Sequence, residues 1–419
     1  MDDNSILNSV IFYKNIGAAR FHMPGHKGRA PDGSKFLAPI YPYDITELDC
    51  TDNLYAPAQN GAVEQSERLA AELFHTAHTV FSAGGATAAL FAAIILCCEG
   101  RREPRILCDR RAHRSVINAF AVCGVSPIWF DPHDTPKFAD IAKPLGADEI
   151  AAVLITSPDY YGRMCDVAAV SRLAVSLGAP LICDNSHGSH LAFINGGEYH
   201  PYKLGARLCV DSIHKTLPAL TGAALLHFSD DFSPSDVRRA MSRCASTSPS
   251  YIIAASADAA LRYMKLHGAD GCEKLAGLIT DAKQTLHTMG FSTAQFPIGD
   301  PQRICIRDKN ARALYAHLEK HGVVGEFCDS DDVVLIASVM NTKEDFDRLC
   351  AACADFSPSP SPGIPDFYPS VLPERVTSIR EAVFARSRDV KTEESIGLIC
   401  AESVTPYPPG VPLIVAGER

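Results

Sequence analysis

The residue with the most specific chemistry is a lysine near the middle of the chain. Lys215 stands in Asp211-Ser212-Ile213-His214-Lys215-Thr216, directly after a short apolar run, Leu208–Val210. An amine at a strand end can condense with an aldehyde to form an imine. Most lysines are solvated surface charges, so the neighbours decide the reading. Upstream, the run Pro180–Cys183 ends in Asp184, followed by Asn185-Ser186-His187-Gly188. A carboxylate and an amine at two neighbouring strand ends suit pyridoxal phosphate, whose ring nitrogen is kept protonated by an acid partner. Asp184 reads equally well as a helix N-cap that follows a strand. A cofactor phosphate calls for backbone N–H groups at a helix start, and Ser82-Ala83-Gly84-Gly85-Ala86-Thr87 precedes an apolar helix. Gly-Gly in that place is also a plain turn. His113 follows the next strand; imidazole can stack on a cofactor ring, although a helix-start or surface role is the commoner use.

Positioning these groups requires alternating strands and helices. Candidate strands are Arg105–Cys108, Pro127–Phe130, Ile150–Thr156, Pro180–Cys183, Leu208–Val210 and Ala223–Phe228. Helical periodicity fills the intervals at Val63–Phe74, Thr87–Cys98, Ser115–Cys123 and Val167–Leu177. That alternation predicts an α/β fold with a mainly parallel sheet covered on both faces and ligands at the carboxyl ends of its strands. After the helix-like stretch Ser256–His267 the pattern changes. Helices at Leu275–Met289, Ala311–His321 and Lys343–Cys353 mix with strands at Arg303–Ile306 and Val333–Ala337, which suggests a small α+β domain. Ser357-Pro358-Ser359-Pro360-Ser361-Pro362-Gly363 then reads as an extended linker, and Ser378–Arg386 as a short helix in the tail. The expected division is an N-terminal segment at 1–47, a large cofactor-binding domain at 48–267, a small domain at 268–355, and a linker with a shortened C-terminal domain at 356–419.

Composition narrows the function classes. Of 419 residues, 47% are hydrophobic and 21% charged, which excludes a disordered or fibrous chain. Lys+Arg 39 against Asp+Glu 49 leaves a formal charge of −10, which argues against a nucleic-acid surface. The acidic start Met1-Asp2-Asp3-Asn4 lacks signal-peptide character, and the longest apolar run, Ala88–Cys98, falls short of the ~20 residues of a membrane span. A cytoplasmic protein without membrane or nucleic-acid partners is expected. Fifteen cysteines, an odd number, cannot all pair within the chain. Cys350 and Cys353 form the one close pair; on a helical pattern without a second pair nearby they read as buried thiols, and no metal is expected.

In order along the chain come Phe21-His22-Met23-Pro24-Gly25-His26-Lys27-Gly28, Asp44-Ile45-Thr46-Glu47-Leu48, the glycine loop, His113-Arg114-Ser115 and Thr156-Ser157-Pro158-Asp159-Tyr160-Tyr161-Gly162. The Asp184 and Lys215 segments follow, then Ser246-Thr247-Ser248-Pro249-Ser250-Tyr251 and Pro408-Pro409-Gly410-Val411-Pro412-Leu413. With these motifs the chain resembles the pyridoxal-phosphate-dependent ornithine/lysine/arginine decarboxylases over almost its whole length, in their short form without the N-terminal wing domain.

The resemblance implies a fold-type-I enzyme in which Lys215 carries pyridoxal 5'-phosphate as an imine and Asp184 pairs with the pyridinium nitrogen. His113 would stack on one ring face, Ser186 would pack on the other, and His187 would lie near the phenolic oxygen. Ser212, His214 and backbone groups of Gly84, Gly85, Ala86 and Thr87 would hold the phosphate, with Thr247 and Ser248 nearby. The site would form between two subunits, so a homodimer or larger even-numbered assembly is implied. The reaction would be loss of carbon dioxide from arginine, lysine or ornithine, with Lys215 or His214 returning a proton to the α-carbon; the product would be agmatine, cadaverine or putrescine. Three positions depart from the family pattern: Ala86 replaces a hydroxyl residue, and Asn185 and Ser186 stand where Glu and Ala are usual. The rival expectations are another enzyme of the fold, an aminotransferase or carbon–sulfur lyase, and a weakly active or inactive cofactor-binding relative.

Overall fold

In the computed structural model, residues 4–48, 52–146, 149–361, 371–406 and 410–419 are described. Pro362-Gly363 of the expected linker and Pro408-Pro409 of the C-terminal motif lie outside them. The first elements are α1 (Ile6–Asn15), α2 (Ala62–Phe74), β1 (His78–Ser82) and α3 (Gly85–Cys98). There follow β2 (Arg105–Asp109), α4 (Arg114–Cys123), β3 (Ser126–Phe130), α5 (Thr135–Ala142), β4 (Ala152–Thr156) and α6 (Val167–Ser176). Next come β5 (Leu181–Asp184), β6 (Leu208–Asp211), the single turn α7 (Ile213–Thr216), β7 (Ala224–Phe228) and α8 (Pro234–Cys244). The long α9 (Tyr251–Thr288) leads to β8 (Ser292–Thr293), β9 (Arg303–Arg307), α10 (Ala311–Lys320), β10 (Phe327–Cys328), β11 (Asp332–Ile336), α11 (Lys343–Ala354) and α12 (Ile379–Phe384).

Two compact units divide the chain, and neither is continuous in sequence. One comprises Met1–Glu99 with Ile182–His267, the other Gly100–Leu181 with Gly268–Arg419. In the first unit the strands lie in the order β1, β7, β6, β5. β5 and β6 run parallel, with Cys183 opposite Cys209 and Asp184 opposite Val210. β7 is antiparallel to both β6 and β1. Every residue of β5, β6 and β7 is buried, which is why their sequences are continuous apolar runs rather than alternating ones. α3, apolar on all sides, packs against β1, β6 and β7.

In the second unit β2 is flanked by β3 and β4, both parallel to it. Pro127 is accommodated in β3 because its missing N–H faces away from the one ladder the strand makes. A separate antiparallel sheet has the order β10, β11, β9, β8. Its core joins Leu275, Ile279 and Leu286 of α9 to Ile304, Ile306, Val333, Phe346 and Leu349. The C-terminal segment closes on Arg110, which is 1% exposed. The guanidinium donates to Pro412 O, Leu413 O and Glu418 Oε2 at 2.9, 3.1 and 3.0 Å.

The α/β class and the predicted strands stand, with ends shifted by one or two residues. Two differences have clear causes. β1 escapes sequence reading because His78-Thr79 and Ser82 make a polar-ended run of five residues. The expected break between Ser256–His267 and Leu275–Met289 is absent: α9 continues for 38 residues through Gly268 and Gly271. Interior glycines cost roughly 1 kcal/mol each, which the burial of Leu275 and Ile279 outweighs. An added Cβ at Gly271 would lie 3.3 Å from Val339 Cγ1, so close packing favours glycine there.

Candidate active site

Parallel pairing of β5 and β6 brings two turns side by side. At the end of β5, Asp184 is 3% exposed, and its Oδ1 accepts from the Ser186 N–H at 3.1 Å and the Ser186 hydroxyl at 2.5 Å. At the end of β6, Ser212 opens α7, and the Lys215 N–H donates to Ser212 O at 3.0 Å. The two turns meet where Lys215 Nζ lies 3.0 Å from His187 Nε2. Behind Lys215, His214 is tied to Ala223, its Nδ1 3.0 Å from the carbonyl oxygen. Burial lowers the His214 pKa against the opposing effect of that carbonyl, so the ring is neutral near pH 7 and Nδ1 carries the proton it donates.

The glycine loop begins α3. Gly85 has φ +70, a conformation open to glycine at no steric cost, and its N–H donates to Gly222 O at 2.9 Å. Gly84 N–H donates to Ser82 Oγ at 3.3 Å. Two of the loop's amides are thereby engaged within the protein. The first-turn amides of Ala86 and Thr87 have no carbonyl four residues back within the helix. Gly84 caps α3 without a side-chain bond, which leaves the positive end of the helix dipole for an anion. Tyr55, which sequence reading did not single out, lies beside the backbone of Ala83 in this loop; burial raises its phenol pKa.

The remaining predicted residues are placed differently. Thr247 and Ser248 are exposed in the loop between α8 and α9, where the Ser248 N–H donates to Ser246 Oγ at 3.1 Å. His113 belongs to the other unit and starts α4, its Nδ1 accepting from the Ser115 N–H at 3.2 Å. That is the helix-start use of a histidine.

Behind the two turns lies a buried polar group that sequence reading missed. Asp211, fully buried, accepts from Asn185 Nδ2 at 2.5 Å and from His200 Nε2 at 3.0 Å. His227 Nε2 is 2.9 Å from the same oxygen as His200, outside hydrogen-bond geometry. Burial opposes ionisation of Asp211, but the His200 and His227 imidazoles outweigh it and hold the carboxyl well below the usual range. Among the described residues, His200, Cys209 and Asp211 are close enough together to hold a metal ion. The hydrogen bond from His200, with Cys209 Sγ 4.0 Å from Asp211 Oδ2, accounts for the grouping without one. The clue in the sequence is the carboxylate itself, placed at the end of a wholly buried strand.

The family model for the Orn/Lys/Arg decarboxylase major domain matches residues 6–310, and that for the C-terminal domain matches residues 368–419. A Bacillus subtilis (strain 168) protein named uncharacterized protein YaaO is 30% identical, the match covering 99% of this chain and 91% of that one. An arginine decarboxylase of Halalkalibacterium halodurans is 26% identical, covering 100% and 91%. Among solved structures, the Francisella novicida lysine decarboxylase LdcF superposes with a TM-score of 0.84 at 18% identity, covering 100% of this chain and 75% of that one. The architecture is thus that of a fold-type-I enzyme, and the chain belongs to the Orn/Lys/Arg decarboxylase family of amino-acid decarboxylases.

Proposed function

We propose that this chain removes the α-carboxylate of a basic amino acid, arginine, lysine or ornithine, with pyridoxal 5'-phosphate as its cofactor. The observation that carries the reading is the meeting of the Asp184 and Lys215 turns, with Lys215 Nζ 3.0 Å from His187 Nε2. The donor set suits the cofactor: an amine to hold its aldehyde carbon, a buried carboxylate for its ring nitrogen, and an uncapped helix start for its phosphate. When bound, the cofactor supplies a conjugated sink for the electrons released as carbon dioxide leaves.

The chain's own residues perform the remaining tasks. Asp184, fixed by the Ser186 N–H and hydroxyl, keeps a negative charge aimed at one place, so the electrostatic environment is set before reaction. Ser212, His214 and the Ala86 and Thr87 amides would hold the phosphate, and His187 would lie near the ring oxygen. Without a hydroxyl at Ala86, one charge-assisted hydrogen bond is lost, worth roughly 1.5–3 kcal/mol in comparable settings. His113 is assigned the stacking face by the family resemblance, and Thr247 and Ser248 a place near the cofactor. Lys215 is favoured over His214 as the group returning a proton to the α-carbon, because the neutral His214 spends its Nδ1 proton on Ala223 O.

We propose further that two copies assemble. The first unit exposes Phe12, Phe21, Met23 and Phe36 on its N-terminal segment, Phe21 at 95%. Clusters of large exposed side chains of this kind mark interaction surfaces. A cytoplasmic setting is part of the same proposal. Among the described residues, no helix is long and apolar enough to cross a membrane. The division into large, small and C-terminal domains at about 267 and 355 is kept as part of the proposal.

The test is carbon dioxide release by pure protein supplied with pyridoxal 5'-phosphate, scored over arginine, lysine, ornithine and neutral amino acids. Release from one basic substrate above all neutral ones is expected. Transfer of the amino group to an oxo acid, with no release, would instead indicate an aminotransferase.

A further inference from the structure

We propose that Asp211 is a positioning residue: it braces the Asp184 turn against the Ser212–Lys215 turn and so sets how tightly the chain holds its cofactor. The inference rests on the reading of Lys215 and Asp184 given above. Its basis is connectivity. Asp211 immediately precedes Ser212, and Asn185 immediately follows Asp184. The Asn185 side chain donates to Asp211 Oδ1 at 2.5 Å, while the Asn185 N–H donates to Val210 O at 2.9 Å. Both bonds cross between the two strand ends at the point where the strands give way to the functional turns. Asp211 is fixed in turn from behind. His200 donates to Oδ2 at 3.0 Å, and His227 stands 2.9 Å from that oxygen. His227 is itself held by Thr79 Oγ1, 2.8 Å from its Nδ1, and by the ring of Phe74 stacked at 4.6 Å. Asn185, His200, Asp211 and His227 are all at most 1% exposed.

A buried carboxylate is a poor way to fill space, since removing its charge from water is costly and well-packed apolar groups stabilise as well or better. What it offers is direction: an anion that accepts from several groups at once fixes the groups donating to it. Here the elements that gain from such fixing are the two turns. Asn185 also stands where the family pattern has Glu, so in this chain the brace has an amide donor facing the Asp211 carboxylate.

The experiment titrates pyridoxal 5'-phosphate into cofactor-stripped wild type, Asp211→Asn and Asn185→Ala, following the visible absorbance of bound cofactor. Thermal unfolding is recorded with and without cofactor. Asp211→Asn is expected to bind about tenfold more weakly, about 1.4 kcal/mol, and Asn185→Ala about threefold. Both should lose part of the rise in melting temperature that the cofactor confers. Reversing the bond in Asn185→Asp/Asp211→Asn should restore tighter binding than Asn185→Asp alone. Should Asp211→Asn fail to fold, Asn185→Ala, which removes one neutral donor, decides the matter. Wild-type affinity in the folded variants, with melting temperatures lowered equally with and without cofactor, would make the network merely structural and overturn the proposal. Failure of the wild type itself to take up cofactor would refute the functional reading instead.

Discussion

Asp211 and Asp332 are both fully buried aspartates at strand ends, one in each compact unit, and their environments drive them in opposite directions. Asp211 faces two imidazoles and an amide donor, and its carboxyl is held well below the ordinary range despite its burial. Asp332 is pushed up to about 6, chiefly by burial and further by the Asp329 carboxylate. Its Oδ1 takes a bond from Cys305 Sγ at 3.1 Å, Arg307 Nε stands off at 3.6 Å, and Oδ2 has no hydrogen-bond partner. Burial alone therefore does not set the charge of a carboxylate; the donors arranged around it do. The difference separates a fully donated anion, braced for use beside functional turns, from an under-donated one that weakens the fold at neutral pH.

That contrast predicts where substitutions will act. Around the β5 and β6 ends they should alter cofactor handling more than stability. Lys215→Ala should have the largest effect, abolishing the visible absorbance of bound cofactor and lowering turnover about 10³-fold or more, the scale of losing a covalent group. Retained turnover would remove Lys215 from the reaction. Asp184→Asn keeps the shape and takes away the charge. We expect folded protein whose turnover falls about 10²- to 10³-fold, the range for removing one preorganised electrostatic partner, measured by carbon dioxide release at saturating cofactor. A loss of melting temperature without loss of turnover would place Asp184 with the helix caps instead. Ser186→Ala removes one of two donors to Asp184 while the Ser186 N–H remains. Turnover should fall about fivefold or less, with stability lower by about 1 kcal/mol, the worth of one such hydrogen bond.

How much of this was legible beforehand depends on the kind of information each feature needs. The strands that deliver Asp184 and Lys215 are apolar runs, readable because both faces are covered. Asp184 and Lys215 could be nominated from residue type and position at strand ends, and His187 from the family resemblance alone. The brace could not. Asn185, His200, Asp211 and His227 meet only through strand register and the packing of Phe74, so no local spacing announces them. Asn185 was visible only as a departure from the family pattern, and the structure shows what it does: it donates to Asp211. His113 illustrates the reverse case. Its sequence context fits both a stacking ring and a helix start, and the second is the local geometry seen. The long α9 shows tertiary burial overriding glycine, which local propensity weighs too heavily.

Asp332 gives the smallest predicted effect and the cleanest test of the contrast. Its folded pKa of about 6 lies above the ordinary aspartate value, so the native state binds its proton more tightly than the unfolded state does. The stabilising contribution of that proton is fully present below about pH 4 and is lost as pH rises towards 6, after which it stays lost. In Asp332→Asn the side chain is neutral throughout and can still accept from Cys305 Sγ, while its amide N–H₂ takes the side that has no partner in the wild type. The variant should therefore be more stable than wild type at pH 7.5 by about 1 kcal/mol, the gain from losing the buried charge being partly offset by the cost of burying the amide N–H₂. The gain should shrink as pH is lowered from 6 to 4, while cofactor affinity stays unchanged. Urea unfolding at several pH values measures this directly. If the variant were less stable at pH 7.5, the attraction of Arg307 at 3.6 Å would outweigh the burial of the charge, and Asp332 would join Asp211 as an anion held by its partners.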